Sequence, residues 1–119
     1  MNTAFIFPGQ GSQAVGMAKD LYDNFLTARN IFEQIDDALA QNLSKVIFEG
    51  PLEDLTLTEN TQPALMAASM AFIEVIKEQS GKDMQQLCKM VAGHSVGEYS
   101  AICAAGGLSI TDTAKILRI

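Results

Sequence analysis

Gly93-His94-Ser95-Val96-Gly97 lies between an apolar run, Leu87 to Ala92, and a segment from about Val96 to Ala105 that Gly106-Gly107 ends. The run reads as a strand with Lys89 as its flaw, and the following segment reads as a helix. A Gly-x-Ser-x-Gly turn joining a strand to a helix is a nucleophile elbow. It strains the serine backbone and needs small flanking residues, so that chain and substrate can both approach. The helix behind it aims free N–H groups and its positive dipole end at the serine, where an oxyanion would form. These demands select an α/β architecture, a parallel sheet flanked by helices with its site at the C-terminal edge of the strands. The plainer alternative is a tight glycine turn whose serine only caps the helix.

A second strand and loop repeat that polarity. Thr3-Ala4-Phe5-Ile6-Phe7 is a short apolar run stopped by Pro8 and Gly9. It predicts a buried strand of a parallel sheet, where alternation is not expected. The glycine-rich loop Pro8-Gly9-Gln10-Gly11-Ser12-Gln13 follows. If the two strands are neighbours, the backbone N–H of Gln10 faces that of Val96, and the pair forms an oxyanion hole beside Ser95. The loop has no Walker lysine to hold a phosphate. Gly9-x-Gly11-x-x-Ala14 does fit the looser dinucleotide fingerprint. The acid expected ~20 residues further on would be Glu33, which falls in a helical pattern rather than after a strand.

A serine nucleophile also needs a base. The one histidine, His94, adjoins Ser95, and neighbours at a tight turn point in different directions. Packing or lining the site suits His94 better than taking the serine proton. No other residue is a good base, so the base is expected from sequence outside these residues or from another chain. One histidine and two cysteines, Cys88 and Cys103, provide neither a zinc site of standard spacing nor a disulfide framework. No metal or cofactor is expected, and both thiols are expected to be buried or inert.

The rest of the chain reads as helical scaffold. Leu21, Phe25, Ala28, Phe32, Ile35 and Leu39 share one helical face, with a break expected near Asn24 to Thr27. Glu49 to Asn60 reads as mostly loop with a solvated acidic surface. Thr61-Gln62-Pro63 reads as a helix start, since proline is tolerated in the first turn. Ala64 to Ile76 is apolar on most sides, with Met66 and Met70 as packing residues, and Ser80-Gly81-Lys82 ends the helix. Ser109 and Asp112 have capping-box spacing, with Asp in place of Glu, and open a last helix. Two strands are too few for a sheet of usual size, ~4–6 strands. The chain therefore reads as the first part of a larger domain.

Composition removes other classes. Eight Lys and Arg against 14 Asp and Glu give a net charge of −6, which repels nucleic-acid backbones. Hydrophobic residues at 48% and charged residues at 18% fit a globular chain. No run reads as a membrane span or a secretory signal, so a cytoplasmic protein is expected.

Three motifs in order, Phe7-Pro8-Gly9-Gln10-Gly11-Ser12-Gln13, Thr61-Gln62-Pro63-Ala64 and Gly93-His94-Ser95-Val96-Gly97-Glu98-Tyr99, resemble the malonyl-CoA:acyl-carrier-protein transacylases of bacterial fatty-acid synthesis. The resemblance covers the whole chain. It implies an α/β-hydrolase-like acyltransferase core, here its N-terminal portion, residues 1–119, without the ferredoxin-like subdomain that family inserts. It implies Ser95 as the acyl-accepting nucleophile, Gln10 and Val96 as the backbone oxyanion pair, and Gln62 as a residue lining the site. Malonyl-CoA enters as substrate and acyl carrier protein as partner, with no cofactor. The family's catalytic histidine lies far downstream, without a counterpart here. Its carboxylate-binding arginine lies in the helix that begins near Ser109 and falls just past Ile119, with Arg118 a neighbouring position.

The alternatives use the same elbow: a serine hydrolase, the acyltransferase module of a polyketide synthase, or an inactive truncated fragment. The Gly9–Gln13 loop argues against the hydrolase, and Met1 two residues before the first strand favours a free-standing protein over the module. The absent base keeps the inactive fragment in play.

Overall fold

The computed structural model describes residues 4–88, 90–93 and 97–118. Two short strands, β1 (Ala4–Phe7) and β2 (Met90–Gly93), pair in parallel, with Ala4 opposite Met90 and Phe7 opposite Gly93. Parallel pairing needs a crossover. Six helices make it here: α1 (Lys19–Asn24), α2 (Leu26–Leu39), α3 (Leu43–Glu49), α4 (Leu52–Thr56), α5 (Thr58–Ser80) and α6 (Met84–Leu87). Two more, α7 (Gly97–Ala104) and α8 (Ile110–Arg118), follow β2.

The expected break in the first amphipathic segment falls at Phe25, whose extended backbone (φ −130°, ψ 120°) separates α1 from α2. Ala28, Phe32 and Ile35 are buried on the expected face, and Ile31 joins them. Phe32, Tyr22 and Phe48 stack edge-on or tilted, with ring centroids 5.0–5.9 Å apart. α2, α5 and α8 pack on one another and enclose most of the core.

The stretch 49–60 differs from expectation. It is largely helical, through α4 and the first turn of α5, because Leu55 is fully buried and pins the segment to the core. Side chains at the start of α5 bond to carbonyls of α4: the Asn60 amide donates to Asp54 O at 2.8 Å, and the Thr61 hydroxyl to Leu55 O. α5 thus begins at Thr58, and Pro63 stands in its second turn rather than its first. A proline there cannot donate to the carbonyl four residues back, that of Glu59. Arg118 Nε, from the end of α8, donates to it instead at 2.7 Å. α3 has no counterpart in the periodicity analysis, and Leu87 ends α6 rather than opening β2. At the far end of α5, Gly81 caps the helix in the left-handed conformation (φ 69°). Ser109 Oγ accepts from the Asp112 N–H at 3.0 Å, the N-terminal bond expected for α8.

The sheet departs most. Ala4, Ile6, Met90 and Ala92 share one face by register and are exposed, Ile6 at 78% and Met90 at 63%. Only the other face, carrying Phe5 and Phe7, meets the core.

Candidate active site

The parallel register brings the C-terminal ends of both strands together, Phe7 beside Gly93. The loop after β1 and the elbow after β2 therefore leave from one edge of the sheet. A Cβ added to Gly93 would lie 2.0 Å from the carbonyl carbon and oxygen of Gly97. One added to Gly97 would lie 2.3 Å from the Phe7 carbonyl oxygen and 2.9 Å from that of Pro8. The chain thus doubles back within four residues and lays the start of α7 on the end of β1. Both motif glycines are required by backbone contact, as an elbow demands. His94, Ser95 and Val96 lie outside the described residues.

Gln10 is exposed at the tip of the loop after β1. The loop is held locally: the Gly11 N–H donates to Gln13 Oε1 at 2.8 Å, and the Ser12 N–H to Gly9 O at 3.3 Å. The Gln10 side-chain amide donates to Thr58 Oγ1 at 3.3 Å, which joins the loop to the N-terminus of α5. Gln62 is half-buried one turn further along, on Thr58's side of the helix by i,i+4 spacing. Gln10 is thereby tied to the turn of α5 that precedes Gln62. Sequence analysis missed Thr58, because it started α5 too late. Extending the helical pattern back by one turn would have placed Thr58 on the Gln62 face.

Arg118 is turned elsewhere. Besides Glu59 O, its guanidinium donates to Gln41 Oε1 at 2.5 Å and to Asn60 Oδ1 at 3.3 Å. It acts as a brace between α8 and the start of α5. Cys88 and Cys103 are both buried and unpaired. Burial pushes the Cys103 thiol above its ordinary range, with a hydrogen bond to Thr113 opposing, so it stays a weakly reactive thiol. Among the described residues there is no cluster of three or more metal-binding side chains, and no helix is long and apolar enough to cross a membrane.

Residues 4–119 match the family model described as "Acyl transferase domain". The chain belongs to this acyl transferase family. It is 50% identical over 115 residues to the malonyl CoA-acyl carrier protein transacylase of Bacillus subtilis strain 168, covering 97% of this chain and 35% of that protein. The Escherichia coli K12 protein of the same name is 40% identical over 116 residues, covering 98% of this chain and 36% of its own length. An acyl-carrier-protein-S-malonyltransferase from Bartonella henselae superposes with a TM-score of 0.95 at 60% identity, over 99% of this chain and 37% of that one. A malonyl-transacylase solved with its type II PKS acyl-carrier protein gives a TM-score of 0.91 at 39% identity, with the same coverage. This acyl transferase chain spans about a third of the length of the curated relatives it matches. The two-stranded parallel sheet and its helices are thus a partial α/β acyltransferase core.

Proposed function

We propose that this chain is the N-terminal part of an acyltransferase domain that moves malonyl from malonyl-CoA to acyl carrier protein, in cytoplasmic fatty-acid synthesis. The backbone closure of Gly93 on Gly97, laid against the end of β1, carries the reading, because a nucleophile elbow needs glycines at such a close approach. Ser95 Oγ attacks the thioester carbonyl while a base takes its proton. The backbone N–H groups of Gln10 and Val96 hold the oxyanion, and coenzyme A leaves as the thiol. The carrier-protein thiol then attacks the malonyl-Ser95 ester, and Ser95 regains its proton. Gln62 and His94 line this site. The general base comes from sequence outside these residues or from another chain, and Arg118, committed to Glu59, Gln41 and Asn60, is not the partner of the malonyl carboxylate. No cofactor takes part.

The test is covalent. The chain joined to the remainder of its domain is incubated with malonyl-CoA, digested and analysed by peptide mass spectrometry. The malonyl mass is expected on Ser95. Malonyl on Cys88 or Cys103 with Ser95 free overturns the assignment.

A further inference from the structure

An oxyanion donor works by standing about 2.7–3.1 Å from the place where charge will develop, before the charge is there. Gln10 is a poor place for one by itself. It lies at the exposed tip of the loop between β1 and α1, and exposed loops are the mobile parts of a fold. Inside the loop, the Ser12 N–H donates to Gly9 O and the Gly11 N–H to Gln13 Oε1, local ties that move with the tip. The far end is fixed by the Gly16 N–H, which donates to Ile47 O at 2.7 Å. Among the described residues, one hydrogen bond joins residues 8–15 to another element: the Gln10 side-chain amide donates to Thr58 Oγ1 at 3.3 Å.

Thr58 is a firm anchor. It is the first residue of α5, and each of the next three residues is tied down. Arg118 Nε donates to Glu59 O at 2.7 Å, the Asn60 amide to Asp54 O at 2.8 Å, and the Thr61 hydroxyl to Leu55 O. Asn60 and Thr61 are buried. The β-branched side chain of Thr58 has few rotamers of its own. This tether engages the Gln10 side chain and spares its backbone N–H for an oxyanion.

We propose that Thr58 is a positioning residue for acyl transfer: its hydroxyl anchors the Gln10 side chain and so holds the Gln10 backbone N–H in place, a role that rests on the oxyanion reading of Gln10 given above.

The test uses the chain joined to the remainder of its domain. Malonylation of Ser95 is followed in a single turnover, by rapid quench and peptide mass spectrometry, at rising malonyl-CoA concentration. Thr58→Val keeps the shape and drops the hydroxyl; Gln10→Ala keeps the backbone donor and drops the tethered amide. Both side chains are exposed, so both variants are expected to fold. Thr58→Val is expected to lower the saturated rate about tenfold, less than the ~10²–10³-fold lost with a whole oxyanion donor, and to leave the half-saturating concentration within about twofold. Gln10→Ala should lose a similar factor, and the double variant no more than the worse single one. Thr58→Ser, which restores the hydroxyl, should recover most of the rate. A Thr58→Val rate at the parent's level, a change in half-saturation alone, or losses that multiply in the double variant overturn the positioning role while Ser95 is still malonylated. A parent domain that carries no malonyl on Ser95 overturns the oxyanion reading, and the role of Thr58 with it.

Discussion

The helical half of this chain closes on itself, and the sheet half does not. Ala28, Phe32, Leu43, Ile47, Leu55, Ala64 and Met66 are all at 1% exposure or less, whereas Ile6 and Met90 stand at 78% and 63%. Both halves are apolar in sequence. They differ in what lies nearby along the chain: α2, α3, α4 and α5 find their partners within a few dozen residues, and a parallel strand must wait for distant ones. The candidate chemistry sits on the unfinished half. A site built where strands end needs a sheet, and among the described residues that sheet has two strands.

The contrast can be broken at its strongest point. Phe32→Ala should cost about 3–5 kcal/mol by emptying the aromatic cluster, while Ile6→Ala should cost close to nothing in this chain. Urea unfolding followed by circular dichroism decides it. Equal losses at the two positions would mean that the bare face is already covered.

Gly97→Ala comes next. Its new methyl meets backbone oxygens of Phe7 and Pro8, which cannot rotate away, so a loss of about 1–3 kcal/mol is expected. A stable Gly97→Ala chain would show that the elbow is looser than the Gly93–Gly97 contact implies.

Arg118→Ala is the smaller effect, about 1 kcal/mol for the lost bonds to Glu59 O and its neighbours. The cause is specific. In a Pro63→Ala background the residue at 63 regains an N–H and can serve Glu59 O itself, so the Arg118→Ala loss should shrink. A double-mutant cycle on thermal unfolding reads the coupling. Additive losses would contradict the brace.

Sequence alone revealed the two strands, the close approach at Gly93 and Gly97 and the amphipathic face of α2, because each rests on local chemistry: glycines that backbone contact requires, and apolar residues in short runs or at helical spacing. It missed α3 and α4, whose helicity depends on burying Leu43, Ile47 and Leu55 against distant α5. It placed the start of α5 too late by trusting Pro63 as a first-turn residue, when a guanidinium from position 118 answers the carbonyl that Pro63 leaves free. Gln10 and Gln62 stood out in the sequence through motif resemblance alone, and the hydrogen bond from Gln10 to Thr58 was not legible, because it spans 48 residues. Burial of β1 on both faces was expected from composition and is half fulfilled, since hydrophobic runs report what a strand can bury and not what is there to cover it.

The most direct test of the central claim, that the Gly93–Gly97 closure serves acyl transfer with a base supplied from elsewhere, is malonyl transfer itself. The 119-residue chain is compared with the same chain fused to the remainder of the Bartonella henselae relative, at equal folded concentration, with malonyl-CoA as donor and acyl carrier protein as acceptor. The fused form is expected to transfer malonyl, and the short chain to be slower by at least the ~10²–10⁴-fold that a missing general base costs. Transfer by the short chain at a comparable rate would contradict the account and return His94 as the base.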